Sequence, residues 1–127
     1  MSPQFILAVA AGGALGSVAR YLVGIWSGRL FGLDFPWGTL IINVTGSFLI
    51  GVFVALFAIK WDLPQAVRVF LTVGICGGYT TFSSFSLDAW YLVERGQSGA
   101  MLAYAGASVV LSIGALIAAL HIVRAIA

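Results

Sequence analysis

A polar, glycine-rich stretch in the second half of the chain holds the residues best suited to bind an ion. It reads TVGICGGYTTFSSFSLDAW from Thr72 to Trp90. Glycine loosens a helix, and nearby hydroxyls can satisfy the backbone groups that are freed. We therefore expect a helix break near residues 75–81. Its carbonyl oxygens would suit a hard cation such as sodium, and its helix N-terminus would suit an anion. The alternative is a helix that is only kinked by glycine and patched by Ser and Thr.

Two stripes of hydrogen-bond donors accompany this stretch, each with a spacing of four residues that places its members on one helix face. One stripe is Thr39, Asn43 and Ser47, and the other is Tyr104, Ser108 and Ser112. An amide such as Asn43 is costly in a membrane unless it is paired or wet, which indicates a functional role. The serines are weaker indicators, because serine often bonds back to the preceding turn. Neither stripe contains an acidic residue, so together they favour a path for an anion.

The remaining candidate residues stand alone. Arg20 lies well within an apolar segment, where it either draws an anion into a vestibule or extends to the membrane interface. Asp88 is interpreted as a capping or interface group, or as a group at a pore mouth. His121 and Cys76 are interpreted as packing residues. With a single histidine, no Ser-His-Asp or Cys-His arrangement and no metal-ligand spacing is supported, so the sequence does not indicate an enzyme.

The composition requires a membrane to position these residues. The chain has 127 residues, of which 61% are hydrophobic and 8% are charged, against roughly 25% charged residues in ordinary soluble domains. A soluble domain of this size cannot bury so much apolar surface. Segments of about 20 apolar residues cross a bilayer as helices. We predict an all-α integral membrane protein with one four-helix domain over residues 1–127. Its spans are 4–26, 37–59, 65–93 (broken at mid-membrane near 75–81) and 99–126.

The basic residues are spread singly along the chain, with a net charge of +2. Nucleic-acid binding needs a basic cluster, so it is not expected. With four spans, three of these residues fall on one side of the membrane (Lys60, Arg68, Arg124) and two or three on the other (Arg29, Arg95 and, if it reaches the surface, Arg20). This balance gives no strong orientation bias. It favours dual topology and an antiparallel dimer, unless other signals orient the chain. Small residues four apart, such as Gly12 and Gly16, predict close helix contacts within or between chains.

Four segments, taken together and in order, resemble the Fluc (CrcB) family of fluoride channels over nearly the whole chain. They are GGALGSVAR at Gly12–Arg20, WGTLIINVTGSFLIG at Trp37–Gly51, GICGGYTTFSSFS at Gly74–Ser86 and AYAGASVVLS at Ala103–Ser112. Any one of these segments alone would be weak evidence for the family. The chain differs from the family pattern at Ser84, where threonine is common, and at Asp88, where glutamate is common.

The resemblance implies a multi-pass protein of the bacterial inner (plasma) membrane that passively exports cytoplasmic fluoride and so confers fluoride resistance. It implies an antiparallel, dual-topology homodimer with two pores. A structural sodium ion (Na+) would lie at the dimer centre, held by the backbone carbonyls of Gly77 and Thr80. The residues implied for the fluoride pore are Asn43, Phe82, Phe85, Tyr104, Ser108, Ser112, Thr39 and Thr81, with Arg20 in the vestibule.

The physical chemistry of fluoride agrees with this resemblance. Fluoride is small and tightly hydrated, so its pore must offer donors that replace water, such as amides and hydroxyls. A phenyl ring has a positive edge that can face an anion. One rival is a small multidrug-type antiporter, but that family uses an acidic residue deep in its first span, and the first segment here has none. The other is a non-transporting assembly subunit, which leaves the polar break and the donor stripes unexplained.

Overall fold

The computed structural model describes residues 2–59 and 62–127, which are almost entirely helical. The elements are α1 (Pro3–Phe31), α2 (Trp37–Ile59), α3 (Gln65–Val69), a π-helical segment (Phe70–Cys76), α4 (Gly77–Tyr79), α5 (Phe82–Glu94) and α6 (Ser98–Ile126). The all-helical prediction is confirmed. Lys60, one of the residues in the predicted charge balance, lies outside the described residues.

Three helices of the described chain, α1, α2 and α6, are long and apolar enough to cross a membrane. They correspond to the first, second and fourth predicted spans. The third predicted span is divided among shorter helices, so its crossing stays a prediction. α1 continues beyond the expected end at Trp26 to Phe31, because the first left-handed residue comes only at Gly32, with φ of 80°. That conformation favours glycine and ends the helix.

Polar contacts hold the connections at the two ends of the bundle. The Arg95 side chain donates from Nη2 to the Asp34 carbonyl oxygen at 3.0 Å, which joins the α1–α2 connection to the turn before α6. At the other end, Arg68 donates from Nε to the Leu63 carbonyl oxygen at 3.1 Å. α2 and α6 therefore both start at the Arg95 end, and the two helices run parallel.

Glycines allow α1 to pack directly on the backbone of the π-helical segment and α4. A Cβ atom added to Gly12 would lie 2.9 Å from the Gly74 Cα atom, and one added to Gly78 would lie 2.9 Å from the Gly13 Cα atom. A Cβ on Gly16 would meet the Ile75 carbonyl oxygen. The close contacts expected from Gly12 and Gly16 thus lie within the chain. They hold the π-helical segment, a geometry that often marks functional sites.

Replacement of Gly16 by alanine should destabilise the protein. The added methyl group would lie 2.8 Å from the Tyr79 amide nitrogen and against the Ile75 carbonyl, and backbone cannot move aside as a flexible side chain can. We expect a loss of about 1–3 kcal/mol, measured as a lower thermal midpoint of the purified protein in detergent. Gly13→Ala is the matched control, because nothing lies within 4 Å of its new Cβ atom. Equal midpoints for the two variants would contradict this packing.

Candidate functional site

Two residues between α4 and α5 have extended backbone. Thr80 has φ −80° and ψ 159°, and Thr81 has φ −154° and ψ 118°. Thr81 caps α5, since its Oγ1 accepts a hydrogen bond from the Ser84 amide at 3.1 Å. A threonine at this position satisfies one of the free amides at a helix start. The two extended residues, Thr80 and Thr81, are called the break below.

The Asn43 side chain binds the break at two points. Its Nδ2 donates to the Thr81 carbonyl oxygen at 3.0 Å, and its Oδ1 accepts from the Thr81 amide at 2.8 Å. An extended residue inside a helical protein has no strand beside it to complete its backbone hydrogen bonds. The amide of Asn43 carries both a donor and an acceptor, and it takes the place of that strand.

A second contact from α2 holds the residue before the break. The Thr45 hydroxyl donates to the Ile41 carbonyl oxygen at 2.7 Å, so it accepts its bond from the Tyr79 hydroxyl at 2.9 Å. Gly46 leaves room for this approach, because an added Cβ would lie 3.1 Å from the Tyr79 ring. Sequence reasoning missed Thr45 and Tyr79, since no spacing or motif relates residues so distant in the chain.

Two carbonyl oxygens at the break lack the partners that a continuous helix would provide. The Thr81 amide would bond to the Gly77 carbonyl, but it donates to Asn43 instead. The Ser84 amide would bond to the Thr80 carbonyl, but it donates to the Thr81 hydroxyl. Hard cations prefer such oxygens. In the described chain, no three His, Cys, Asp or Glu side chains lie close enough together to hold a metal ion. A cation at the break would therefore depend on backbone oxygens.

A cavity of about 350 Å³, called the break cavity below, lies beside the break, between α2 and α6. It brings together eight residues predicted for the ion sites: Asn43, Gly77, Thr80, Thr81, Phe82, Phe85, Ser108 and Ser112. The rest of its lining is Gly46, Ser47, Ile50, Thr72, Cys76 and Val109. Cys76, interpreted as a packing residue from the sequence, is buried in this wall.

The two α6 serines in this cavity have free hydroxyl groups. Ser108 is only 8% exposed. The Oγ atoms of Ser108 and Ser112 are buried and have no hydrogen-bond partner among the described residues. A buried donor left unpaired costs about 1–3 kcal/mol. These serines are therefore ready to bind a polar ligand or ion in the cavity.

Two phenylalanines close one side of the same cavity. The ring centroids of Phe82 and Phe85 are 5.5 Å apart, with the planes tilted by 44°. Phe85 also packs on the Tyr104 ring at 5.1 Å. Phe82 is 79% exposed at the surface of the single chain. One ring of the pair is thus held by α6, and the other is free to meet a neighbouring surface.

The other predicted pore residues lie away from this cavity. Tyr104 is fully buried and donates its hydroxyl to Asp88 Oδ2 at 3.1 Å. Asp88 and Thr39 line a second cavity of about 450 Å³ near the Arg95 end. Tyr104 therefore lies between the two cavities, in contact with Phe85 on one side and Asp88 on the other. Arg20 lines neither cavity.

Replacement of Asn43 by alanine should leave the Thr81 amide and carbonyl without partners. The expected loss of stability is about 2–4 kcal/mol, from two buried backbone groups. The thermal midpoint in detergent measures it. Thr45→Val is the comparison, because it removes a hydrogen bond at an exposed position and should cost far less. If both variants melt together, the Asn43 amide does not hold the break.

Comparison of the sequence with known proteins finds a matching family and similar relatives. The family described as CrcB-like protein, Camphor Resistance (CrcB), matches residues 7–120. The chain is 73% identical over 124 residues to a Nitrobacter hamburgensis protein named fluoride-specific ion channel FluC 1, covering 98% of each chain. It is 70% identical to the Nitrobacter winogradskyi fluoride-specific ion channel FluC, covering 99% of this chain and 100% of that one. The Rhodospirillum centenum protein of the same name is 54% identical over 121 residues, covering 95% and 96%.

Proposed function

The chain belongs to the CrcB-like family, and on that premise we propose that it is a fluoride-specific ion channel of the bacterial inner membrane. It lets cytoplasmic fluoride leave the cell passively and so gives fluoride resistance. Its relatives are named as ion channels and not as enzymes, in agreement with the sequence.

The observation that carries this proposal is the pair of buried, unpaired hydroxyls of Ser108 and Ser112 beside the Phe82–Phe85 pair. Fluoride gives up its water only to a site that supplies strong donors, and two hydroxyls without partners are such donors. Among the described residues, no carboxylate lines this cavity, so a permeating cation would lack a counter-charge beside the two serines. The positive edges of the phenyl rings favour an anion at the same place.

A second copy of the chain completes the site in this proposal. Gly77 and Phe82 are exposed at the surface of the single chain. The Gly77 and Thr80 carbonyls lack their usual helical partners, and lipid cannot bond to carbonyl groups. An antiparallel copy would cover this surface and leave two symmetry-related fluoride pores. Cross-linking of the membrane-embedded protein should trap a dimer, and a monomer alone would argue against this assembly.

The proposed path continues from the break cavity past Tyr104 toward the second cavity. Thr39 and Tyr104 supply hydroxyls along this route, and Asp88 holds the Tyr104 hydroxyl by its hydrogen bond. Arg20 lines neither cavity. Its proposed vestibule role is therefore the attraction of anions at a distance and not direct contact with the ion.

The carbonyl oxygens of Gly77 and Thr80 fit a structural sodium ion at the dimer centre. Sodium would neutralise the carbonyl dipoles and stabilise the contact between the two copies. We expect purified protein to have a higher thermal midpoint in sodium chloride than in the chloride salt of a large organic cation of equal ionic strength, because binding to the native state alone stabilises it. Equal midpoints after exhaustive sodium removal would count against the ion.

Fluoride efflux from liposomes tests the function itself. Purified protein should release trapped fluoride and retain chloride. Phe82→Ile and Asn43→Asp should each abolish or cripple fluoride efflux, because the first removes an aromatic edge and the second places a negative charge at the break. Phe53→Ile is the control, since Phe53 stacks on Phe57 and lines neither cavity. Wild-type efflux in both test variants would overturn the pore assignment.

A further inference from the structure

The hydroxyl groups of the helices differ in where their protons go. Four of them donate to the carbonyl of the preceding turn: Thr45 to Ile41 at 2.7 Å, Thr72 to Arg68 at 2.8 Å, Thr80 to Cys76 at 2.9 Å and Ser86 to Phe82 at 3.0 Å. This is the usual behaviour of such side chains in a helix. Ser47, Ser108 and Ser112 do not behave in this way. Ser108 and Ser112 have no partner among the described residues, and none of the hydrogen bonds within the described chain involves the Ser47 hydroxyl.

The parallel packing of α2 and α6 relates Ser47 to the two α6 serines. Toward the start of both helices, Leu40 and Tyr104 belong to one buried cluster. Further along, a Cβ added to Gly51 would meet the Leu116 carbonyl oxygen at 2.7 Å. The shared cluster at one end and the Gly51–Leu116 approach at the other set the register of the two helices along the cavity.

Between these contacts, the register brings Asn43 level with Ser108 and Ser47 level with Ser112, one helical turn further on. All four line the same cavity. The Asn43 amide is already engaged by Thr81 at both its oxygen and its nitrogen. Of the two α2 side chains, only Ser47 has a donor group that makes no hydrogen bond within the described chain, so its hydroxyl proton is available to a ligand in the cavity.

We propose that the Ser47 hydroxyl is a further fluoride-binding group, placed across the cavity from Ser112. The inference rests on the proposed function, since it assigns a ligand to the same path. A dehydrated fluoride needs donors on more than one side, and the α6 serines supply only one wall. Thr72, in the π-helical segment on another side of the cavity, donates its hydroxyl proton to the Arg68 carbonyl oxygen. Its oxygen therefore presents only lone pairs to the cavity. The fluoride ion is therefore bound between α2 and α6, by hydroxyl groups from both helices.

Fluoride efflux from liposomes tests this role over a range of fluoride concentrations. Ser47→Ala should slow efflux about tenfold and raise the half-saturating fluoride concentration, because a hydrogen bond to a charged group is lost. Ser47→Thr, which restores the hydroxyl, should recover most of the rate. Ser86→Ala is the control, since Ser86 is exposed and bonds to its own helix. Efflux by Ser47→Ala at the wild-type rate and half-saturation would overturn the assignment.

Failure of this inference is distinguishable from failure of the proposed function. If the wild-type protein releases no fluoride, the function itself is wrong. If Ser47→Ala does not fold, Ser47→Cys decides the question, because it keeps the shape of the side chain and replaces the hydroxyl with a much weaker donor. Slow efflux by a folded Ser47→Cys supports the proposal, and unchanged efflux overturns it.

Discussion

The two-point hydrogen bond between Asn43 and the Thr81 backbone is the interaction on which the rest of the site depends. Extended backbone among apolar helices leaves an amide and a carbonyl without partners, and a bilayer supplies none. Asn43 provides both partners within one side chain. A short hydrophobic residue would provide neither, and a serine could not span both groups at once. The amide that α2 carries at the level where α5 begins thus satisfies the backbone of the break.

The glycine contacts of α1 serve the same end from the opposite side. The π-helical segment before the break has a wider turn than an α-helix, a geometry that is rare beyond a single turn, and its neighbours support it. Direct backbone packing by Gly12 and Gly16 gives that support over a large contact without long side chains. On the α2 side, Tyr79 reaches Thr45 across Gly46. The π-helical segment is thus fixed between α1 and α2, and these contacts hold the wall of the cavity beside it.

The sequence alone predicted the helices well where apolar length decides them, as in α2, whose bounds Trp37 and Ile59 are those of the observed helix. The sequence also placed Asn43 with Ser47, and Ser108 with Ser112, on shared helix faces that do line the cavity beside the break, because residues spaced by four share a face, whereas Phe82 and Phe85 were implied only by the family resemblance. It did not predict that Thr39 and Tyr104 would lie outside that cavity, since a stripe gives a face but not the depth at which a cavity ends. The Thr45–Tyr79 bond and the π-helix were not predictable, because both arise from tertiary packing and have no local signature.

A single hydrogen bond connects the proposed cation site to the proposed anion path. When the Thr81 amide donates to Asn43, the Gly77 carbonyl loses its helical partner and becomes available to a cation. The same bond ties the break to α2, which also carries Ser47 on the wall of the cavity. The freed carbonyls beside the break would serve the proposed sodium ion, while the donors proposed for fluoride are hydroxyls of α2 and α6 that line the same cavity. In the proposed arrangement, substitution of Asn43 would disturb both the cation site and the wall of the anion path, whereas substitution of Ser47 would remove only a donor to the anion.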